Sequence, residues 1–352
     1  MNITKNTNYL DWERNNNGQG YITFFTPTYN RSYFLPRVYE CLKNQTNKHF
    51  VWILVNDGSS DNTEVVANDL LSLSDFPIMY LSKENGGKHS AFKVALDSTR
   101  TEYFQCMDDD DIFSPEAVNT YLSEWARIKK QGKDSEIGAI RTLTKYAGES
   151  GSIVSSRNFP LPTYGRVDMT TLECNFIRHI HMENWTCYLT AALRSVDLFP
   201  KNYWLHSQHK FFNEAIWQGR FARKYKCRYY YVCLREYNQD APFSLIRSKK
   251  NYQHYMDMFI NTKMLLDEQI DYYMLNPYSL FKSIAIISIL RHKLKIPLKD
   301  LLYHTPSLLL KISYIISSFV SVLSPYPKIG TVGKCREFLN KLIDNVMEFS
   351  YI

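Results

Sequence analysis

The sequence predicts an α/β protein with a mainly parallel sheet flanked by helices and a helical C-terminal extension. Three observations predict it. Short β-rich apolar runs alternate with segments of helical spacing between residues 21 and 143, which implies βαβ units. Polar, chemistry-bearing residues follow each of the first four apolar runs, on the edge where open α/β sheets bind ligands. From about residue 251 onward the pattern is helical.

In chain order, residues 1–20 are polar and Asn-rich and read as a loose leader. They lack the apolar stretch of a signal peptide. Residues 21–26 form a β-rich run closed by Pro27. A helix follows over 31–42, with Leu35, Val38, Tyr39 and Leu42 on one stripe. Residues 50–55 are apolar throughout, as a strand buried on both faces would be. A turn at 57–63 leads into a helix over 64–73. The third strand is 78–81, and Gly86-Gly87 open a helix that runs to about 98. The fourth strand, 103–107, ends on Asp108-Asp109-Asp110-Asp111. A helix at about 115–130 and a strand at 137–143 complete this half. Loop signals cluster between Gly148 and Pro162. Residues 163–245 mix short elements, with a strand candidate at 228–234.

A chain of 352 residues can bury a large core and hold two domains. Net charge is +7, and the excess is uneven: residues 281–352 carry ten Lys/Arg against four Asp/Glu. A basic end of this kind suits an anionic surface, either phospholipid or nucleic acid. No nucleic-acid module is recognisable, so nucleic acid is not an expected partner. The segment 307–324 lies between Pro306 and Pro325, is short for a membrane span, and carries Lys311 and several serines. An interfacial amphipathic helix fits it best, helped by Arg291-His-Lys-Leu-Lys295 upstream; a helix packed on the core and a span are the alternatives. Seven cysteines stand without metal-ligand spacing or a disulfide framework. That usage fits a reducing compartment and a cytoplasmic protein.

Four consecutive carboxylates repel one another unless something positive sits among them. A divalent cation is the natural neutraliser, since Mg²⁺ or Mn²⁺ favours carboxylate and phosphate oxygens. A solvated acidic turn capping the next helix is the plainer alternative. The other strand ends supply complementary groups. Tyr29 can stack on a nucleobase, and Asp57 can accept the N3–H of uracil. Gly58 permits a close turn. Gly86 and Gly87 open a helix whose N–H groups attract anions, and Lys88 adds a positive charge. Asp57-Gly58 is also a common turn pair, and Asp61 or Asn62 a good helix cap. Taken together, one nucleotide-diphosphate site explains the four strand ends better than four coincident turns.

Thr26-Pro-Thr-Tyr-Asn-Arg31, Val55-Asn-Asp-Gly-Ser-Ser-Asp61, Glu84-Asn-Gly-Gly-Lys-His89 and Asp108-x-Asp110-Asp111 resemble, in order and spacing, the motifs of the family 2 glycosyltransferases. The resemblance covers residues 21–144 and continues more weakly to 244; the ending is like that of bacterial members that build surface polysaccharides. It implies a GT-A, Rossmann-like fold. Residues 21–145 would be the nucleotide-sugar-binding half, 146–250 the acceptor-binding half, and 251–352 a helical, membrane-associated region. The implied metal ligands are Asp110 and Asp108, around Mn²⁺ or Mg²⁺. The implied nucleotide-sugar contacts are Pro27, Thr28, Tyr29, Arg31, Asp57, Asn85, Gly86, Lys88, Asp108 and Asp109. The implied activity is inverting transfer from a UDP-sugar to a hydroxyl of a growing glycan, polyprenyl-diphosphate-linked, at the inner face of the cell membrane.

Inversion needs a base for the acceptor hydroxyl. The acids of the second half offer Asp168, Glu173, Glu183, Asp197, Glu214, Glu236 and Asp240. Related sequences place a Glu in a Lys-Phe-aliphatic-Pro-Glu-Gly context before a helical Trp. Here that context is Lys210-Phe-Phe-Asn-Glu214-Ala215 with Trp217 following, so Glu214 is the expected base; Asn213 and Ala215 depart from the pattern. A nucleotidyltransferase would want a glycine-rich loop after the first strand, where this chain has Pro27-Thr-Tyr-Asn30. A non-catalytic nucleotide-sugar or glycan-binding protein on the same fold is the remaining alternative.

Overall fold

A computed structural model describes residues 1–146, 165–180, 183–199, 203–205, 211–237 and 251–323. The loop signals between Gly148 and Pro162 and the acid Asp240 lie outside them. The chain divides into two compact units. The first comprises Met1–Cys174, Ile180–Phe199 and Trp217–Ala241; the second comprises Asn175–His179, Pro200–Ile216 and Pro242–Ile352.

In the first unit, strands and helices follow in the order β1 (Asn2–Lys5), α1 (Thr7–Asn15), β2 (Ile22–Thr28), α2 (Leu35–Lys43), β3 (Phe50–Asn56), α3 (Thr63–Leu73), β4 (Ile78–Ser82), α4 (Lys88–Ser98) and β5 (Tyr103–Cys106). Then come β6 (Ile112–Phe113), α5 (Ala117–Lys130), β7 (Ile137–Tyr146), β8 (Arg166–Met169), β9 (Asn184–Leu189), α6 (Thr190–Arg194), α7 (Glu214–Ala222, which belongs to this unit from Trp217 on) and β10 (Lys226–Tyr237). Among the described residues they build a 10-stranded sheet in the order β1-β4-β3-β2-β5-β9-β7-β10-β6, with β8 beside β10. The β4-β3-β2-β5 core is parallel, as expected. Beyond it the sheet is mixed: β9 runs antiparallel between β5 and β7, while β7 and β10 pair in parallel.

The apolar run of β3 is buried at all seven positions because both faces are covered. Its residues alternate between two cores. Val51, Ile53 and Val55 join one with Phe92 of α4 and Trp217 of α7. Phe50, Trp52 and Leu54 join the other with Val38 of α2, Leu70 of α3 and Trp125 of α5. Every loop that leaves a parallel strand therefore emerges at one edge of a sheet fixed from both sides.

Residues 1–20 are not a loose leader. β1 pairs antiparallel with β4, Asn2 opposite Ser82 and Lys5 opposite Met79, and so covers what would be an open edge. Asn6 then caps α1, its Oδ1 accepting the Tyr9 N–H at 2.8 Å, while its Nδ2 donates to the Phe76 carbonyl. Tyr9 and Trp12 are buried in the core beside Met79. The polar composition of the segment hides this, because its core contacts come from two residues, Tyr9 and Trp12.

The second unit is helical: α8 (Tyr252–Tyr273), α9 (Pro277–Lys293), α10 (Leu298–Tyr303) and α11 (Leu308–Leu323). Asn251 and Asn276 cap α8 and α9, and Pro277 opens α9 where its missing N–H costs nothing. Phe259, Ile287, Leu301 and Leu310 are fully buried. Lys263 is buried among them, paired with Asp267 and donating to the His304 carbonyl at 2.9 Å. Among the described residues, no helix is long and apolar enough to cross a membrane.

If residues 1–15 are part of the fold, Trp12→Ala should lower the stability of the protein by about 3 kcal/mol in urea denaturation, as emptying a buried Trp site does. A change below about 0.5 kcal/mol would return the segment to a leader.

Candidate functional site

The loops after β2, β3, β4 and β5 meet through named hydrogen bonds. Asn30 adopts a left-handed backbone (φ 54°), its N–H donates to Ser59 Oγ at 2.9 Å, and its Oδ1 accepts the Ser60 N–H at 2.7 Å. Ser32 N–H donates to Asp61 Oδ2. These bonds tie the loop after β2 to the loop after β3. Pro27 and Thr28 end β2, and Tyr29 beyond them is half exposed.

Asp57 is buried at the end of β3 and binds the next loop along. Its carboxylate accepts the Gly86 N–H at 3.0 Å, the Gly87 N–H at 2.7 Å and Lys83 Nζ at 2.5 Å. Asn85 Nδ2 donates back to the Asp57 carbonyl at 2.9 Å. Gly58 and Gly87 have φ of 81° and 84°, the region glycine enters without strain. A Cβ on Gly58 would also meet the Asn85 nitrogen at 2.7 Å, so glycine is required there twice over. The N–H groups of Gly86 and Gly87, expected to face an anion, are turned to Asp57 instead.

The four aspartates follow β5, and three cationic side chains pair with their carboxylates while a fourth binds a backbone carbonyl. Lys88, the first residue of α4, lies 2.9 Å from Asp108. Arg31 reaches Asp109 at 3.1 Å and Asp110 at 2.7 Å, with its guanidinium over the Phe34 ring. Arg37 donates to the Asp110 carbonyl. Arg235 of β10 lies 2.7 Å from Asp111 and 3.1 Å from Glu183. Antiparallel pairing places Arg235 opposite Phe113, two residues past the last acid.

The acids divide into two kinds. Burial alone would raise the pKa of Asp108, but Lys88, Arg235 and Arg31 outweigh it and hold the carboxyl below its ordinary value. Burial pushes Asp109 up to about 7 against the pull of Arg31, with Asp110 and Asp108 adding to the rise. Burial likewise pushes Asp111 up to about 8 against Arg235. Asp109 and Asp111 are buried, whereas the side chains of Asp108 and Asp110 keep 35% and 23% of their surface. Two part-exposed carboxylates fit Mn²⁺ or Mg²⁺, which takes one or two carboxylates and completes its shell with phosphate and water. Among the described residues, no group of three or more His, Cys, Asp and Glu gathers as a closed metal cage.

The structure thus brings Pro27, Thr28, Tyr29, Arg31, Asp57, Asn85, Gly86, Lys88, Asp108, Asp109 and Asp110 to the loops at one sheet edge. Glu214 opens α7 and belongs to the second unit. Asn213, where related sequences carry proline, caps that helix by accepting the Ala215 N–H at 2.8 Å. Among the other acids, Asp168 pairs with Arg228 and Lys133, Glu183 with Arg235, and Glu236 with Lys145. Sequence reasoning missed Lys83, Arg37 and Arg235. Lys83 directly follows a strand, which could have flagged it; nothing local marks Arg235.

Arg235→Met should destabilise the fold by roughly 3–5 kcal/mol in urea unfolding, because it strands two carboxylates, one of them buried. A loss below about 1 kcal/mol, the size expected of an exposed pair, would deny Arg235 that role.

The glycosyl transferase family 2 model matches residues 23–167. A chondroitin synthase of Pasteurella multocida is 29% identical over 150 residues, 43% of this chain and 15% of that protein. A teichoic acid poly(glycerol phosphate) polymerase of Staphylococcus epidermidis is 30% identical over 124 residues, 35% of this chain and 16% of that protein. The chain therefore spans a small part of the length of these curated relatives. Among solved structures, S. aureus TarS 1–349 in complex with UDP-GlcNAc aligns with a TM-score of 0.50 and 17% identity, covering 84% of this chain and 79% of that one. Residues 23–167 thus match glycosyl transferase family 2, and the chain shares the GT-A fold of its structural neighbour.

Proposed function

We propose that this protein is an inverting, metal-dependent glycosyltransferase that moves a sugar from a UDP-sugar to a hydroxyl of a growing surface glycan, polyprenyl-diphosphate-linked, at the inner face of the cell membrane. One observation carries the reading: Asp108–Asp111 close the fourth parallel strand of a family 2 domain with Arg31 and Lys88 set on them. The UDP-GlcNAc complex of the structural neighbour supports UDP as the nucleotide. The polysaccharide and teichoic acid chemistry in the relatives' names supports a glycan acceptor.

Bonds among the loops support the roles proposed for their residues. Tyr29 stacks on the uracil, and Asp57 accepts its N3–H with the acceptor capacity left by Gly86, Gly87 and Lys83. Arg31 and Lys88 exchange carboxylates for phosphate oxygens when the diphosphate arrives. Asp110 and Asp108 would hold Mn²⁺ or Mg²⁺, which would supply positive charge to stabilise a leaving diphosphate. Asp109, buried beside them, keeps Arg31 in place. Glu214 accepts the proton of the acceptor hydroxyl, whose oxygen bonds to the anomeric carbon as UDP departs with the electron pair.

Two variants separate metal site from base. Asp110→Ala should abolish transfer while keeping the circular dichroism spectrum of the wild type. Glu214→Gln should keep UDP-sugar affinity and lower kcat by about 10²–10⁴-fold, the range of a lost general base. Wild-type turnover in either variant would remove that residue from the mechanism. UDP binding without turnover in the unaltered protein, supplied with glycan acceptors, would make it a nucleotide-sugar-binding protein instead.

A further inference from the structure

Helix α11 has two unlike faces. Leu310 and Tyr314 are fully buried, and the Ser317 hydroxyl bonds Ser288 of α9 at 2.6 Å, so this face is committed to the second unit. The opposite face exposes Leu308, Leu309, Ile312, Ile315 and Ile316, with Leu308 71% accessible. Their spacing of one, three and four residues makes a continuous stripe along the helix. Tyr303, the last residue of α10, is 83% accessible. Single exposed apolar side chains are ordinary, but an aligned stripe of five marks a surface that meets something apolar.

The surrounding charge selects what it meets. Residues 281–323 carry six Lys/Arg and one Asp. Lys293, Lys295 and Lys299 are exposed, and Lys311 flanks the stripe on the same helix. An apolar stripe bordered by lysines is complementary to an anionic lipid surface: the aliphatic side chains enter the headgroup–acyl boundary, and the lysines lie among phosphates. Among the described residues, α11 is short for a span. At 16 residues α11 is about 24 Å long, against a hydrocarbon core of roughly 30 Å.

We propose that α11, with α10 before it, is an interfacial helix that docks the second unit on an anionic bilayer through Leu308, Leu309, Ile312, Ile315 and Ile316. This surface is independent of the glycosyl-transfer reading, since lipid binding is measured without donor or acceptor. The test is sedimentation of the full chain with vesicles of phosphatidylcholine alone and of phosphatidylcholine mixed with phosphatidylglycerol. The chain should bind the mixed vesicles, release in high salt, and ignore the neutral ones. Leu308→Ser/Ile312→Ser/Ile316→Ser removes exposed side chains only, so circular dichroism should be unchanged while affinity falls at least about tenfold, as expected when buried acyl-like contacts are lost. Lys295→Gln/Lys299→Gln/Lys311→Gln should weaken binding similarly. Equal binding to both vesicle types, no binding to either, or a serine variant that binds like wild type would each overturn the proposal. A dimer in light scattering that the serine variant dissociates, without vesicle binding, would assign the stripe to a second copy of the chain.

Discussion

Four aspartates in succession at the end of β5 set the terms for the first unit. Two unit charges about 4 Å apart cost about 4 kcal/mol near a protein surface, so the run cannot stand ionised without cations beside it. The chain supplies three, each from a different segment: Arg31 from the loop after β2, Lys88 from the start of α4, Arg235 from β10. Their pairings divide the labour. Arg235 holds a buried acid, Asp111, and so fastens the far side of the run to the sheet. Arg31 and Lys88 also hold acids that remain part-exposed, Asp110 and Asp108, and in the proposed reading these are the pairs that open for phosphate and metal.

A second constraint acts on the backbone. Asp57 accepts two amide hydrogens and a lysine, and this fixes the turn between β4 and α4 from the end of β3. The Asn30–Ser60 and Ser32–Asp61 bonds fix the preceding pair of loops in the same way. A nucleotide site on loops is only as well ordered as the bonds between those loops. Here neighbouring loops hold one another, and the parallel strands beneath hold all of them from two packed faces.

Much of this was legible in the sequence because its signals are local. The continuous apolar run at 50–55 reads as a strand covered on both faces, and alternation between the two cores is its structural expression. The aspartate run, Gly86-Gly87 and Tyr29 announce themselves by residue type and by position after a strand. What stayed hidden depends on pairing between distant segments. Arg235 reaches Asp111 only because β10 lies antiparallel to β6, and no local pattern encodes that register. The antiparallel insertion of β9 escaped for the same reason. Residues 1–20 escaped because composition averages over them, while Tyr9, Trp12 and the Asn6 cap carry the fold. Asp57 was read by what it can offer a base, and its grip on Gly86 and Gly87 appears only in three dimensions.

The central claim is that Asp108 and Asp110 hold a divalent ion against a nucleotide diphosphate. Calorimetric titration of UDP into the unaltered protein, with Mn²⁺ and then with EDTA, tests it most directly. If the ion bridges carboxylates and diphosphate, each ligand must tighten the other by the same factor, and Mn²⁺ should strengthen UDP binding at least about tenfold. Equal UDP affinity with Mn²⁺ and with EDTA would contradict the account and leave Arg31 and Lys88 as the groups that hold the diphosphate.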